Sequence, residues 1–100
     1  MAYIDPVEVS PDVCKVLFEN DSVRVLEMTL AAGQTDVEHS DTDETVIFVK
    51  GGSASIAMPD GNSMEAELLD GHIMWHEAWT HTVTNRGDSE IKAIIVESKG

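Results

Sequence analysis

Alternation with a period of two runs through this chain, and helical periodicity is hard to find anywhere in it. In SMEAELL, residues 63–69, Met64, Ala66 and Leu68 share one face and Ser63, Glu65 and Glu67 the other, the pattern of a half-buried strand. SASIAM, residues 53–58, repeats it with Ala54, Ile56 and Met58. Between the two, PDGN supplies Pro59 for an early turn position and Gly61 for the positive φ of a tight hairpin. Further strands are predicted at VCKVLFE, SVRVLEMTL, ETVIFVK, HIMWH, HTVTN and EIKAIIVE, punctuated by NDS, Gly51-Gly52 and RGDS. Short strands broken so regularly by turns predict an all-β sandwich or barrel. TVIFV and AIIV are apolar on both parities, which predicts strands covered on both faces, and alternation in HIMWH assigns Trp75 to the core. The first ten residues, with Pro6, read as an arm along the surface or against a partner. The chain thus divides into an arm over 1–10 and a β domain over 11–100.

Composition narrows the class. One hundred residues suffice for one core, and 42% hydrophobic with 25% charged residues mark a globular chain rather than a disordered one. Nineteen Asp and Glu oppose six Lys and Arg, a formal charge of -13 that repels phosphate backbones and anionic bilayers, so no nucleic-acid or membrane partner is expected. Cys14 is the sole cysteine, which rules out an intrachain disulfide, and its strand setting predicts a buried, inert thiol. No apolar run approaches the roughly 18 residues of a membrane span, and MAYIDPVEVSPDV lacks the basic start and apolar core of a signal peptide. The expected location is the cytoplasm.

The candidate chemistry lies in GQTDVEHSDTDETVIFVKGG, residues 33–52, where a polar run with one histidine and five carboxylates abuts a core strand. A solvated loop, a patch selected for acidity and a set of metal ligands are three readings that spacing leaves open. In the third, His39 and Asp41 share a strand face, Glu44 opens the next strand, and His81 joins them from an opposing strand. Two histidines with a carboxylate and open positions suit non-haem Fe(II), and Mn, Ni, Co or Zn accept the same donors. His72, after a turn glycine, reads as exposed. His76 reads as a hydrogen-bonded strand-end residue or a group near substrate, and Trp79 as a wall of a pocket mouth.

The order of these residues resembles a small single-domain cupin from about Val9 to Ser98. The first cupin motif, G-x5-H-x-H-x3,4-E-x6-G, is matched by Gly33, His39, Glu44 and Gly51, with Asp41 in place of the second histidine and only two residues before Glu44. The second, G-x5-P-x-G-x2-H-x3-N, is matched by Gly71, His81 and Asn85, with Glu77 and Trp79 near the usual Pro and Gly and an interval one residue short. The resemblance implies a single jelly-roll β-barrel of two packed antiparallel sheets. It implies a divalent transition metal on His39, Glu44 and His81 with Asp41 as a fourth ligand, Fe(II) being the first choice. It also implies a metal-dependent enzyme, such as a dioxygenase, isomerase or lyase, acting on a small polar molecule, with Asp41 as catalytic base where it is not a ligand. A non-catalytic metabolite-binding or metal-binding module is the alternative, and a homodimer is compatible with both.

Overall fold

A computed structural model describes residues 3–99. After one helical turn, α1 (Pro6–Val9), nine strands follow: β1 (Cys14–Glu19), β2 (Val23–Leu30), β3 (His39–Asp41), β4 (Glu44–Lys50), β5 (Gly52–Ala57), β6 (Ser63–Leu68), β7 (Ile73–His76), β8 (Trp79–Asn85) and β9 (Ile91–Ser98). They form a five-stranded sheet in the order β1-β2-β9-β4-β7 and a four-stranded sheet in the order β3-β8-β5-β6, antiparallel throughout. Apart from the hairpins β1-β2 and β5-β6, each successive strand crosses to the other sheet, which winds the chain into the expected jelly roll.

The β5-β6 hairpin turns where predicted. Gly61 takes φ 92°, and Met58 N–H donates to the Asn62 carbonyl at 2.8 Å. Inside, Leu26, Met28, Leu30, Val46, Phe48, Ile91, Ala93 and Ile95 of the five-stranded sheet form one buried cluster with Ala54 of the four-stranded sheet, against which Leu68 and Val83 pack. Each large side chain so buried contributes about 1.5–3 kcal/mol. Asn85 ties the far end together: its Nδ2 donates to the Leu30 and Ser89 carbonyls at 3.0 and 2.8 Å, while its Oδ1 accepts from Gly87 N–H.

Two expectations about the five-stranded sheet are corrected. Only one face of β4 and β9 is buried; Ile47, Ile94 and Val96 on the other are half-exposed and Val49 is exposed. Trp75 lies on this outer face and is 60% exposed. The register decides it: Glu44 pairs with His76 and Thr45 with Trp75, so the inward parity of β4 carries Met74 and His76 inward and turns Ile73 and Trp75 out. Of the expected arm, Met1 and Ala2 lie outside the described residues, as does Gly100 of the β domain. The remainder packs closely. Pro6 and Ser10 are buried, Ser40 N–H donates to the Ile4 carbonyl at 2.7 Å, and Val37 N–H donates to Ser10 Oγ at 3.0 Å.

Candidate metal centre

Strand β3 carries His39 and Asp41 on one face, and its pairing with β8 sets His39 opposite His81 and Asp41 opposite Trp79. The polar run before β3 therefore does not end as a solvated loop: Asp36, His39, Ser40, Asp41 and Glu44 are all buried. His81 Nε2 lies 3.1 Å from His39 Nε2 and 3.0 Å from Asp41 Oδ2, and His39 Nε2 lies 3.5 Å from the same oxygen. Neighbouring donors around an ion at about 2.1 Å stand roughly 3 Å apart, so the triangle has the size of one face of a metal's coordination shell.

The orientation of His39 is fixed from behind. Its Nδ1 lies 2.9 Å from the Val37 carbonyl oxygen, an acceptor only, so the proton sits on Nδ1 and Nε2 faces the cluster. His81 Nδ1 and Trp79 Nε1 are buried without a hydrogen-bond partner among the described residues. Trp79 stacks on His76 with ring centroids 3.6 Å apart and meets His81 edge-on at 4.0 Å. His76 Nδ1 also donates to the Glu77 carbonyl at 2.6 Å, a carbonyl oxygen being an acceptor only. His72 is exposed.

Glu44 falls in a different group. The donor atoms sort into one set from His39, Asp41 and His81 and another from Asp41, Glu44 and Glu97, with Asp41 common to both. Glu97 is the residue that sequence reasoning missed; it is buried, with its carboxylate held by Arg24 at 2.9 Å. Asp36 was missed too; its Oδ1 accepts from Val83 N–H at 2.8 Å and its Oδ2 lies 3.6 Å from His39 Nδ1. The parity of Ile91, Ala93 and Ile95 points Glu97 inward and was the available signal, hidden by Ile94 and Val96, which are as apolar on the other parity.

These carboxyls behave differently because their neighbours do. Burial pushes Asp41 up, but hydrogen bonds to His39 and His81 outweigh it and hold its carboxyl at about 2. Burial opposes a charge on His39, yet Asp41 and Asp36 raise it to about 9. Burial, with Asp41 and Glu97 adding repulsion, lifts Glu44 to about 9.

The centre opens on a cavity of about 190 Å3 between the sheets. Its polar lining is confined to one end, at His39, Asp41, Glu44, His76, Trp79 and His81; the remaining walls are aliphatic, methionine and phenylalanine side chains with Cys14.

The architecture has close counterparts among solved structures. A cupin domain from Bordetella pertussis Tohama I superposes with a TM-score of 0.80 at 24% identity, covering 100% of this chain and 99% of that one. The protein has the cupin fold. An RmlC-like cupin protein with a double-stranded β-helix fold from Methanocaldococcus jannaschii matches with a TM-score of 0.65 at 16% identity, over 86% of this chain and 78% of its own. A cupin superfamily protein from Desulfitobacterium hafniense DCB-2 gives 0.64 at 18%, over 88% and 77%. No family model and no curated protein matches the sequence. The cupin barrel supplies the scaffold, and its chemistry must be argued from its own side chains.

Proposed function

We propose that this cupin binds a divalent transition metal through His39, Asp41 and His81, and that it is a metal-dependent enzyme of the dioxygenase type. The observation that carries the reading is the triangle of His39 Nε2, His81 Nε2 and Asp41 Oδ2. Three buried donors this close, with no protein group between them, leave the place that a proton or a cation must fill. Two nitrogens and one oxygen suit Fe(II) or Mn(II), and Zn, Ni or Co accept the same set. Such an ion, when bound, supplies open positions for a substrate donor atom and for O2.

The chain's own residues do the rest. Val37 holds the proton on His39 Nδ1 and keeps Nε2 free for the ion. A carboxylate held at about 2 is a poor proton acceptor, which favours Asp41 as ligand over Asp41 as base. Trp79, with its buried N–H unpartnered among the described residues, stands at the polar end, where it can donate to a ligand's head group, and the stacked His76, its Nδ1 proton committed to Glu77, can accept there through Nε2. The apolar walls exclude water and fit an apolar body. The substrate is thus a small molecule with a chelating polar head and an apolar remainder, rather than one polar throughout. A barrel that holds such a molecule without turning it over is the alternative.

A homodimer is part of the proposal, supported by the uncovered outer face of the five-stranded sheet. Paired registers line up Phe18, Val25, Val96, Thr45 and Trp75 in one row across all five strands. Ile94, Ile47 and Ile73 run beside it, and Phe18, Ile73 and Trp75 are more than half exposed. A contiguous apolar row with exposed rings of this size is the kind of surface that a protein–protein contact covers.

The test is elemental analysis of protein purified anaerobically, beside His39→Ala and His81→Ala. Loss of about one equivalent of Fe, Mn or another transition metal in both variants relative to wild type is the expected result. No metal after reconstitution with Fe(II), Mn(II) and Zn(II) would defeat the enzyme reading and leave the binding module.

A further inference from the structure

We propose that Asp41, Glu44 and Glu97 form a second cation site, joined to the first through Asp41 and suited to a hard divalent ion. It rests on the preceding reading only in sharing Asp41. The site is built by strand register. Across β2, β9, β4 and β7, Arg24 pairs with Glu97, Glu97 with Glu44, and Glu44 with His76, so four polar side chains share the inner face of the sheet in one row. Like charges directly opposite one another repel, yet Glu44 and Glu97 are 4% and 2% exposed.

Each carboxylate keeps one oxygen that the described residues leave unsatisfied. Glu97 Oε1 accepts from Arg24 Nε at 3.0 Å, and Arg24 Nη2 lies 2.9 Å from it. That guanidinium is also committed to Asp5, at 3.1 and 3.2 Å. Glu97 Oε2 and Glu44 Oε2 are buried with no hydrogen-bond partner among the described residues, and one oxygen from each of Asp41, Glu44 and Glu97 lies within 4.8 Å of the others. A buried carboxylate oxygen without a donor is costly unless a cation meets it. Charge leads to the same place. Asp5 and Glu97 pair with Arg24, and Asp36 and Asp41 lie against His39, whereas Glu44 pairs with no cationic side chain among the described residues and faces two further carboxylates; a cation between the three relieves that repulsion. The donors are all oxygens, the set preferred by Mn2+, Mg2+ or Ca2+ over softer metals.

The test is Mn2+ stoichiometry, followed by electron paramagnetic resonance and elemental analysis, in wild type, Glu97→Gln, Glu44→Gln and His81→Ala. Circular dichroism checks that each variant folds, and two glutamate variants guard against one failing. Two ions per chain in wild type, one in each glutamine variant, and one retained in His81→Ala is the expected result. One ion in wild type, kept in both glutamine variants and lost in His81→Ala, overturns the second site and leaves the histidine centre standing; protons then occupy the carboxylates. One ion kept in His81→Ala but lost in Glu97→Gln supports the second site while the histidine centre fails. No ion in any form overturns both.

Discussion

Glu44 of β4 and Glu97 of β9 are direct lateral neighbours, each with its carboxyl group buried inside the barrel. In metal-free protein this arrangement sets the pH dependence of stability. Burial and the carboxylates of Asp41 and Glu97 raise Glu44 to about 9, so its contribution is full below an unfolded value of about 4.3 and declines as pH climbs through that interval. His39, raised to about 9 chiefly by Asp41 against the effect of burial, contributes fully below about 6.5 and loses that contribution towards pH 9. Asp41, lowered to about 2, contributes above about 3.9 and loses it as pH falls towards 2. Chelator-treated protein should therefore melt highest between about pH 4 and 6 and lose Tm from there to pH 9. A bound ion requires deprotonated ligands, so the rise in Tm on adding Mn2+ should grow with pH. Thermal melts with and without chelator check both signs, and a metal-free Tm that climbs from pH 5 to 9 contradicts the argument.

Gly51 marks the point where the chain leaves one sheet for the other. A Cβ built there would lie 1.9 Å from the Leu68 carbonyl oxygen and 2.6 Å from its carbon, both backbone atoms that cannot swing aside. Gly51→Ala should cost at least about 2–3 kcal/mol, a fall in Tm on the order of 10 °C or more for a domain this small. Gly61→Ala is the comparison. No atom of the described residues lies within 4 Å of its added Cβ, but φ is 92°, so backbone strain alone should cost about 1 kcal/mol. Calorimetry on the two variants separates them, and equal losses would show that the β6 backbone yields.

Cys14 lines the cavity yet is only 3% exposed. Burial, with Asp36 and Asp41 adding negative charge nearby, pushes its thiol up to about 12, which leaves almost no thiolate at neutral pH. A disulfide reagent at pH 8 should label native protein far more slowly than protein in guanidinium, where one equivalent reacts at once. Rapid native labelling would mean that the barrel opens on the time scale of the reaction.

Legibility divided along parity. A polar residue inside an alternating strand declares its face, so the hairpin through Gly61 and the shared face of His39 and Asp41 could be read from spacing. In β4, β7 and β9 both parities carry large apolar side chains, and the sequence offers no choice between them. Alternation in HIMWH assigns Trp75 to the core, but it separates the two faces without showing which is inner, and Glu97 shares the inward parity of Ile91, Ala93 and Ile95. What settles the choice is pairing: Glu97 lies beside Arg24 on one side and Glu44 on the other, contacts between residues many positions apart in the chain. The cupin motif supplied His39, Glu44 and His81 in order, but it could not show that Glu44 groups with Glu97 rather than with the imidazoles.

The outer row of Phe18, Val25, Val96, Thr45 and Trp75 bears on assembly. It carries no charge in a chain of net charge -13, so two copies can approach here with the least repulsion, and the cost of leaving it in water is removed when a second sheet covers it. Trp75 anchors one end and is the largest exposed ring in the row, the type of residue that dominates interface energies. Trp75→Glu puts a charge into a sheet-on-sheet contact along this row while touching nothing in the core, since Trp75 points away from it. Sedimentation velocity should show a dimer for wild type at micromolar concentration and a monomer for the variant, with Tm at equal metal loading lower by the stability that association confers. A wild type that sediments as a monomer at all accessible concentrations would remove the homodimer and leave this face to a different partner. A variant that stays dimeric would move the contact to another surface.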